Sequence, residues 1–169
     1  DTALSFLLYI MYSLKKNGKC AIILPGGSPL SQTGVGSKIR QKLLEEFNLH
    51  TIIKLPKTVF EPYTNIATNI LFFDNIGKTK DIWHYQMKVD ERLRGVTRAK
   101  NPKYTMSNPI LYEDFAEIEK WIKNKKENEN AWKVSVDEIK EYNLDLKNPS
   151  DKEETINLKP HELIDNIIK

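Results

Sequence analysis

The sequence predicts an α/β fold over residues 1–103, followed by a mainly helical C-terminal region over residues 104–169. Short, nearly continuous apolar runs, which are typical of buried strands, alternate with segments whose apolar residues follow helical spacing. Loops rich in Gly, Ser and Pro separate these segments. After Lys103 the apolar runs give way to one strongly amphipathic stretch and a charged, lysine-rich tail.

The first elements are predicted as helix, strand and helix. Leucines and a methionine recur at helical spacing over residues 2–16, and Asn17-Gly18 ends that helix. The run Lys19–Pro25 resembles a strand buried on both faces, as in a parallel sheet. After a loop over residues 25–36, Ser37 is the predicted N-cap of a helix through Phe47.

Three more apolar runs predict strands at His50–Leu55, Ala67–Asp74 and Asp81–Met87. Helices are expected at residues 111–126, 136–142 and 160–169. The helix at residues 2–16 has no strand before it. We therefore expect it to pack on a sheet whose earlier strands are missing, and the lack of an initial methionine likewise suggests part of a longer protein.

Composition limits the class of protein. The formal net charge of +3 is too small to indicate a nucleic-acid binder by itself. The single cysteine, Cys20, cannot form an internal disulfide, which fits a reducing compartment. The apolar run at residues 3–14 is too short to span a membrane. We expect a cytoplasmic protein without a membrane partner.

No catalytic cluster is evident from spacing. His50, His84 and His161 lie far apart and belong to no group with ligand-like spacing, so we predict structural or exposed histidines and no metal. No Ser-His-Asp set or Cys-His pair can be argued either. We therefore assign no catalytic residue to this chain.

The loop after the first strand is a candidate substrate loop. Pro25, Gly26 and Gly27 follow the apolar run, and glycines there permit close backbone approach to a ligand at a strand end. The alternative is an ordinary connection between a strand and a helix. Gly34 and Gly36 resemble part of a phosphate-binding turn, but a third glycine and an adjacent strand are absent.

A second candidate is the loop that precedes the third strand. Phe60 and Tyr63 lie there among threonines and asparagines. An aromatic ring in such a loop can stack on a planar ligand, for example a base that has left a duplex. The alternative is that Phe60 caps the hydrophobic core.

The third candidate is a basic stretch. Between Lys78 and Lys103 eight basic residues face three acidic ones, a local excess of +5 against +3 for the whole chain. Such a segment can contact the DNA backbone, whereas a solvated surface loop is the plainer interpretation. The candidate phosphate contacts are Lys88, Arg92, Arg94, Arg98 and Lys100.

Several segments together resemble the N6-adenine DNA methyltransferase domain in the modification (M) subunits of type I restriction-modification systems. The family shows an aspartate-led helix, strands that end in Leu-Pro, a Lys-Ile-Arg helix and a Phe-containing loop before an apolar strand. The matching segments are Asp1–Phe6, Ala21–Pro25, Gly34–Gly36, Ser37–Arg40, Ile52–Pro56, Val59–Phe73, Trp132–Ser135, Glu138–Ile139 and Tyr142–Pro149.

The resemblance implies the C-terminal part of a Rossmann-like sheet that uses S-adenosylmethionine. The family methylates the exocyclic amine of a flipped adenine, held by an Asn-Pro-Pro-Phe motif, while a second aromatic covers the other face of the ring. Phe60 matches that second aromatic. No Asn-Pro-Pro-Phe and no glycine-rich cofactor loop directly after a strand occur here, so we expect the chain alone to be inactive and the cofactor to be bound mainly by residues upstream.

The family also implies partners. These are DNA, the specificity (S) subunit that chooses the DNA site, and in addition a second M subunit and a restriction (R) subunit. The helices at residues 111–126 and 160–169 are candidates for packing against the specificity subunit. Two alternatives stay open: a non-catalytic DNA-binding or subunit-assembly module, and a Rossmann-like methyltransferase that acts on RNA or protein.

Overall fold

A computed structural model describes residues 2–96 and 101–151. Its helices are α1 (Thr2–Ser13), α2 (Ser28–Ser31), α3 (Val35–Glu46) and α4 (Ala116–Lys123). Its strands are β1 (Lys19–Pro25), β2 (Asn48–Lys54), β3 (Thr68–Asp74), β4 (Asp81–Gln86) and β5 (Ala131–Ser135). Short 3-10 turns lie at Lys57–Phe60, Glu91–Leu93, Tyr112–Phe115, Val136–Glu138 and Lys140–Tyr142.

The five strands form one mixed sheet in the order β1-β3-β2-β4-β5. β3 runs antiparallel to both β1 and β2, β4 is parallel to β2, and β5 is antiparallel to β4. β1, β2 and β4 therefore point the same way. Their carboxyl ends at Pro25, Lys54 and Gln86 lie beside the start of β3, and we call this side of the sheet the strand-end edge.

Helices cover both faces of the sheet. Leu71 and Phe73 on β3 pack with α1 and α3, while Ile70 and Phe72 on the same strand pack on the side of α4. The alternation follows from the two-residue period of a strand. Each fully buried apolar side chain of this kind stabilises the fold by about 1.5–3 kcal/mol. The α/β sheet therefore has an apolar core on each of its two faces.

β1 departs from the prediction that it is buried on both faces. Among the described residues it pairs only with β3, and Ile23 is 52% exposed. Phe6, Tyr9 and Tyr12 on the neighbouring α1 are also exposed. The chain thus has an open flank beside its first helix, with an unpaired strand edge and a row of aromatic rings.

The region after Lys103 is not mainly helical over its described part. The expected helix at residues 111–126 is a 3-10 turn followed by the eight-residue α4, and the one at 136–142 is two 3-10 turns. β5, which the sequence did not reveal, pairs with β4 beyond the predicted boundary at residue 103. The helix expected at residues 160–169 lies outside the described residues.

Arg40 joins three segments that are distant in sequence. Its side chain is fully buried, and it donates from Nε to the Tyr142 carbonyl (2.6 Å), from Nη1 to the Pro29 carbonyl (2.9 Å) and from Nη2 to the Gln32 carbonyl (2.7 Å). The planar guanidinium can satisfy all three at once. It thereby fixes α2 and the C-terminal strap, our name for residues 139–148, against α3.

Substituting Arg40 tests this arrangement. Arg40→Met removes three charge-assisted hydrogen bonds and leaves buried carbonyls unpaired, so we expect a loss of about 3 kcal/mol in the free energy of unfolding. Urea denaturation of this chain measures it. Lys42→Met, two residues along α3, removes only a partly exposed ion pair with Glu46, so it is the control and should leave the midpoint near that of the wild type. Equal midpoints for the two variants would contradict the assignment.

Candidate functional site

The three candidate segments leave the sheet at the strand-end edge. Pro25–Gly27 follows β1, the loop over residues 55–67 follows β2, and the segment over residues 87–96 follows β4. Because these strands are parallel to one another, their carboxyl ends meet, which is where open α/β sheets bind ligands. The fold therefore brings together residues that the sequence could only propose one by one.

The loop after β1 is closely packed against its own sheet. Gly26 donates its N–H to the Ala67 carbonyl at 2.7 Å, and a Cβ at this position would lie 3.0 Å from that oxygen and 3.2 Å from Asn69 Nδ2. Gly27 has φ 70° and donates its N–H to Asp145 Oδ2 at 2.8 Å. Both glycine N–H groups have intrachain acceptors, so neither is free to cradle a cofactor.

Packing also explains Gly36. A Cβ there would lie 3.0 Å from a methyl group of Leu4 and 3.1 Å from Arg40 Nη1. Gly34 is the N-cap of α3 with φ 84°, a conformation that favours glycine, so the helix is capped three residues before the predicted N-cap Ser37. Chain reversal and helix packing account for this pair without a phosphate.

The aromatic loop after β2 presents its rings outward. Phe60 ends a 3-10 turn and is 36% exposed, and Tyr63 is 84% exposed. The N–H groups of Tyr63 and Thr64 donate to the Phe60 carbonyl at 2.9 and 3.1 Å. Phe60 lies outside both apolar clusters, whereas its neighbour Val59 packs on the α4 side. This exposure argues against Phe60 as a cap of the core.

Lys103 and Tyr104 hold the aromatic loop in place. The N–H of Tyr104 donates to Thr58 Oγ1 at 3.1 Å, and Lys103 Nζ lies 3.2 Å from Glu61 Oε2. Tyr104 itself is fully buried. The loop is thus anchored at both ends of its turn while the two aromatic rings stay accessible.

The three candidate phosphate contacts within the described residues are all paired with carboxylates. Lys88 lies 2.9 Å from Glu129, Arg94 pairs with Glu91, and Arg92 Nη2 contacts both oxygens of Asp114 at 2.7 Å. The Asp114 side chain is only 2% exposed, so Arg92 compensates a buried charge. Arg98 and Lys100 lie outside the described residues.

Two residues that sequence reasoning missed lie beneath these loops. Lys54 ends β2, and its Nζ lies 3.0 Å from Asp145 Oδ1 and donates to the Leu146 carbonyl at 2.6 Å. Asp145 comes from the C-terminal strap, 118 positions from Gly27. The available signal was the family-like segment Tyr142–Pro149, whose role no local pattern could assign.

His84 lies fully buried on β4 close to this ion pair. Its ring stacks on Trp132 with centroids 5.1 Å apart and planes 12° apart, and neither ring nitrogen has a hydrogen-bond partner among the described residues. Burial, together with the charge of Lys54 and against that of Asp145, lowers the pKa of His84 to about 4. It is therefore a neutral core residue at pH 7.

Other features do not add to the site. No group of three or more His, Cys, Asp or Glu that could hold a metal occurs in residues 2–96 and 101–151. A cavity of about 730 Å³ lies between α3 and the strap, lined by Leu44, Thr79, Val136 and Tyr142 among others, and none of the predicted site residues lines it. Within the described parts no helix combines the length and apolar character that a bilayer crossing requires.

The histidine predicts a pH dependence of stability. The pKa of His84 in the folded chain, about 4, lies below the usual 6.5. As pH falls from 6.5 to 4, His84 is therefore protonated in the unfolded chain but stays neutral in the folded chain. We expect His84 to lower the free energy of unfolding by about 3 kcal/mol over this window and to add no further change below it. Urea titrations at a series of pH values measure this slope.

His84→Gln should flatten that slope, since the amide does not titrate. His50→Gln is the comparison variant: burial and the charge of Lys125 lower the pKa of His50 as well, against Asp74 at 3.6 Å, so this variant should flatten the slope less than His84→Gln does. If His84→Gln kept the wild-type slope, the buried neutral imidazole would not be its source.

The chain matches a known protein family and known proteins in both sequence and fold. The model of a family described as N-6 DNA Methylase matches residues 1–157. The type I restriction enzyme EcoEI methylase subunit of Escherichia coli is 40% identical over 173 residues, covering 97% of this chain and 33% of that protein.

Two solved structures are similar to this chain in both fold and sequence. A modification subunit of a putative type I restriction enzyme from Vibrio vulnificus YJ016 superimposes with a TM-score of 0.79 and 41% identity, over 89% of this chain and 32% of that one. A second structure, described as the structural basis of complex assembly and conformational transition of the type I R-M system, superimposes with a TM-score of 0.77 and 31% identity. The match covers 98% of this chain and 35% of that chain. The chain spans about a third of the length of the relatives it matches.

Proposed function

The chain belongs to the N-6 DNA methylase family, and from this premise we propose that it is the C-terminal part of the modification subunit of a type I restriction-modification system. The reaction is transfer of a methyl group to the exocyclic amine of adenine in DNA. The observation that supports it most directly is the exposed Phe60 at the strand-end edge, in the loop between β2 and β3. There it can cover one face of a base that has left the duplex.

The methyl donor in this proposal is S-adenosylmethionine, and the described residues do not fit it. The two glycine N–H groups after β1 already have intrachain acceptors, and no other glycine-rich segment directly follows a strand among the described residues. The cofactor and the Asn-Pro-Pro-Phe motif therefore belong to the rest of the parent protein. This chain alone is inactive under the proposal, and its residues stack on the base and shape its surroundings.

The open flank gives the rest of the parent a place to pack. β1 has an unpaired edge among the described residues, and Phe6, Tyr9 and Tyr12 on α1 are exposed beside it. A strand added at this edge satisfies the backbone groups of β1, and further cover buries the rings. We propose that the sheet continues here, and the relatives, which are about three times as long as this chain, support this proposal.

Partners follow from the same premise. They are DNA, a specificity subunit, a second M subunit and a restriction subunit, all acting in the cytoplasm. The apolar side of α4 is not available to them, because Ile118 and Trp121 are buried against the sheet. Leu111, Tyr112 and Ile122 remain exposed around α4 and are the better candidates for a subunit contact.

Phe60→Ala tests the stacking role in the full-length M subunit bound to its specificity subunit. Loss of one base–aromatic stack should weaken binding of the flipped base by about 1–3 kcal/mol. Fluorescence of 2-aminopurine at the target position and the turnover number report it, on DNA whose site is found by methylation-sensitive sequencing. Phe60→Trp should retain both. Ile76→Ala, which shortens an exposed apolar side chain at the opposite end of β3, is the control, and wild-type behaviour of Phe60→Ala would remove Phe60 from the site.

The phosphate contacts make a different prediction. Lys88 and Arg94 form exposed ion pairs, which exchange readily for a phosphate, so each Gln variant should reduce the slope of log Kd against log salt by about one. Arg92→Gln should instead destabilise the fold, since it leaves Asp114 buried without its partner. Lys42→Gln is the control. Unchanged salt slopes for Lys88→Gln and Arg94→Gln would exclude both contacts.

A further inference from the structure

Asp145 of the C-terminal strap joins the two loops that the proposed function places around the flipped base. Its Oδ2 accepts the N–H of Gly27 at 2.8 Å, and its Oδ1 lies 3.0 Å from Lys54 Nζ. Each oxygen therefore serves a different strand end. One carboxylate sets the spacing between the loop after β1 and the end of β2.

Both contacts lie at points where the backbone is about to leave the sheet. Gly27 has φ 70°, a conformation that side chains rarely adopt, so its N–H has a defined direction. Lys54 is the last residue of β2, six residues before Phe60. Its carbonyl accepts the N–H of Met87 at 2.9 Å, which ties the segment after β4 to the same point. Each candidate segment is thus connected to the Lys54–Asp145 pair. The loop after β1 and the segment after β4 are each joined by one hydrogen bond, and the aromatic loop follows Lys54 along the chain.

The Asp145 carboxylate is not what secures the strap. Arg40 holds the Tyr142 carbonyl, and the N–H of Leu144 donates to the Leu30 carbonyl at 2.8 Å, independently of the Asp145 side chain. Lys54 and Asp145 are 21% and 26% exposed, so their attraction is partly screened by water. Changing Asp145 should therefore disturb local geometry while the strap stays in place.

We propose that Asp145 is a positioning residue for the adenine site, acting through Gly27 and Lys54 to set the loop after β1 relative to the aromatic loop after β2. The inference rests on the proposed function and adds a residue that does not touch the base. Catalysis depends on such spacing, because a misplacement of about 1 Å can cost about 100-fold in rate.

The test uses the full-length M subunit with its specificity subunit. Asp145→Asn keeps an acceptor for Gly27 but turns its amide N–H₂ toward the Lys54 ammonium. We expect the turnover number to fall about 10–100-fold, the range seen when residues that orient a site are altered. The KM for DNA and the melting temperature should stay near those of the wild type, and the 2-aminopurine signal of the flipped base should change.

Rescue separates positioning from simple loss of charge. In the double variant Lys54→Gln with Asp145→Asn, the ammonium that repels the amide is gone, the glutamine can still donate to the strap carbonyl that Lys54 holds, and the Gly27 contact can form. The double variant should recover part of the turnover lost by Asp145→Asn alone. Asp81→Asn is the matched control, because Asp81 pairs with Lys133 at 3.8 Å at the opposite end of the sheet.

The outcomes are distinct. If the wild-type complex does not methylate adenine, the proposed function fails. If it methylates and Asp145→Asn matches Asp81→Asn in turnover, the positioning role fails while the function stands. If Asp145→Asn lowers the melting temperature as much as Arg40→Met, or the double variant shows no rescue, Asp145 is structural and the inference is overturned.

Discussion

The buried guanidinium of Arg40 is the contact on which the arrangement of the strand-end loops depends. From within α3, which packs on the sheet, it donates hydrogen bonds to two carbonyls around α2 and to one carbonyl of the C-terminal strap. A charge in this position is tolerated because three of its donors find acceptors. With the strap fixed, Asp145 can reach Gly27 and Lys54, which are remote from it in sequence.

A second constraint is the insertion of β3 between β1 and β2. Because β3 is antiparallel to both, β1 and β2 run in the same direction, and β4 pairs with β2 in that direction as well. Three loops therefore leave one edge of the sheet. The comparisons confirm the family resemblance, and the proposed function places the flipped base at this edge.

Several elements could be predicted from local pattern and others could not. β2 and β3 carry apolar runs that specify strands, and the amphipathic residues of α3 specify a helix. The apolar run of β1 predicts burial on both faces, and it does not reveal that one edge has no neighbour among the described strands. β5 is five residues long with a lysine at its centre, and it becomes a strand because β4 offers a ladder partner, a non-local cause.

The sequence by itself determined the alternation of strands and helices, the family, and the aromatic loop with Phe60, since each depends on residues close together along the chain. Only the tertiary structure decided which loops meet, that Gly26 packs against β3, that Arg92 compensates Asp114, and that Asp145 bridges Gly27 and Lys54. The reason is physical: hydrophobic periodicity is a local property of the chain. The partner of a carboxylate or a guanidinium is chosen by the three-dimensional path of the backbone, which brings together residues that no spacing rule connects.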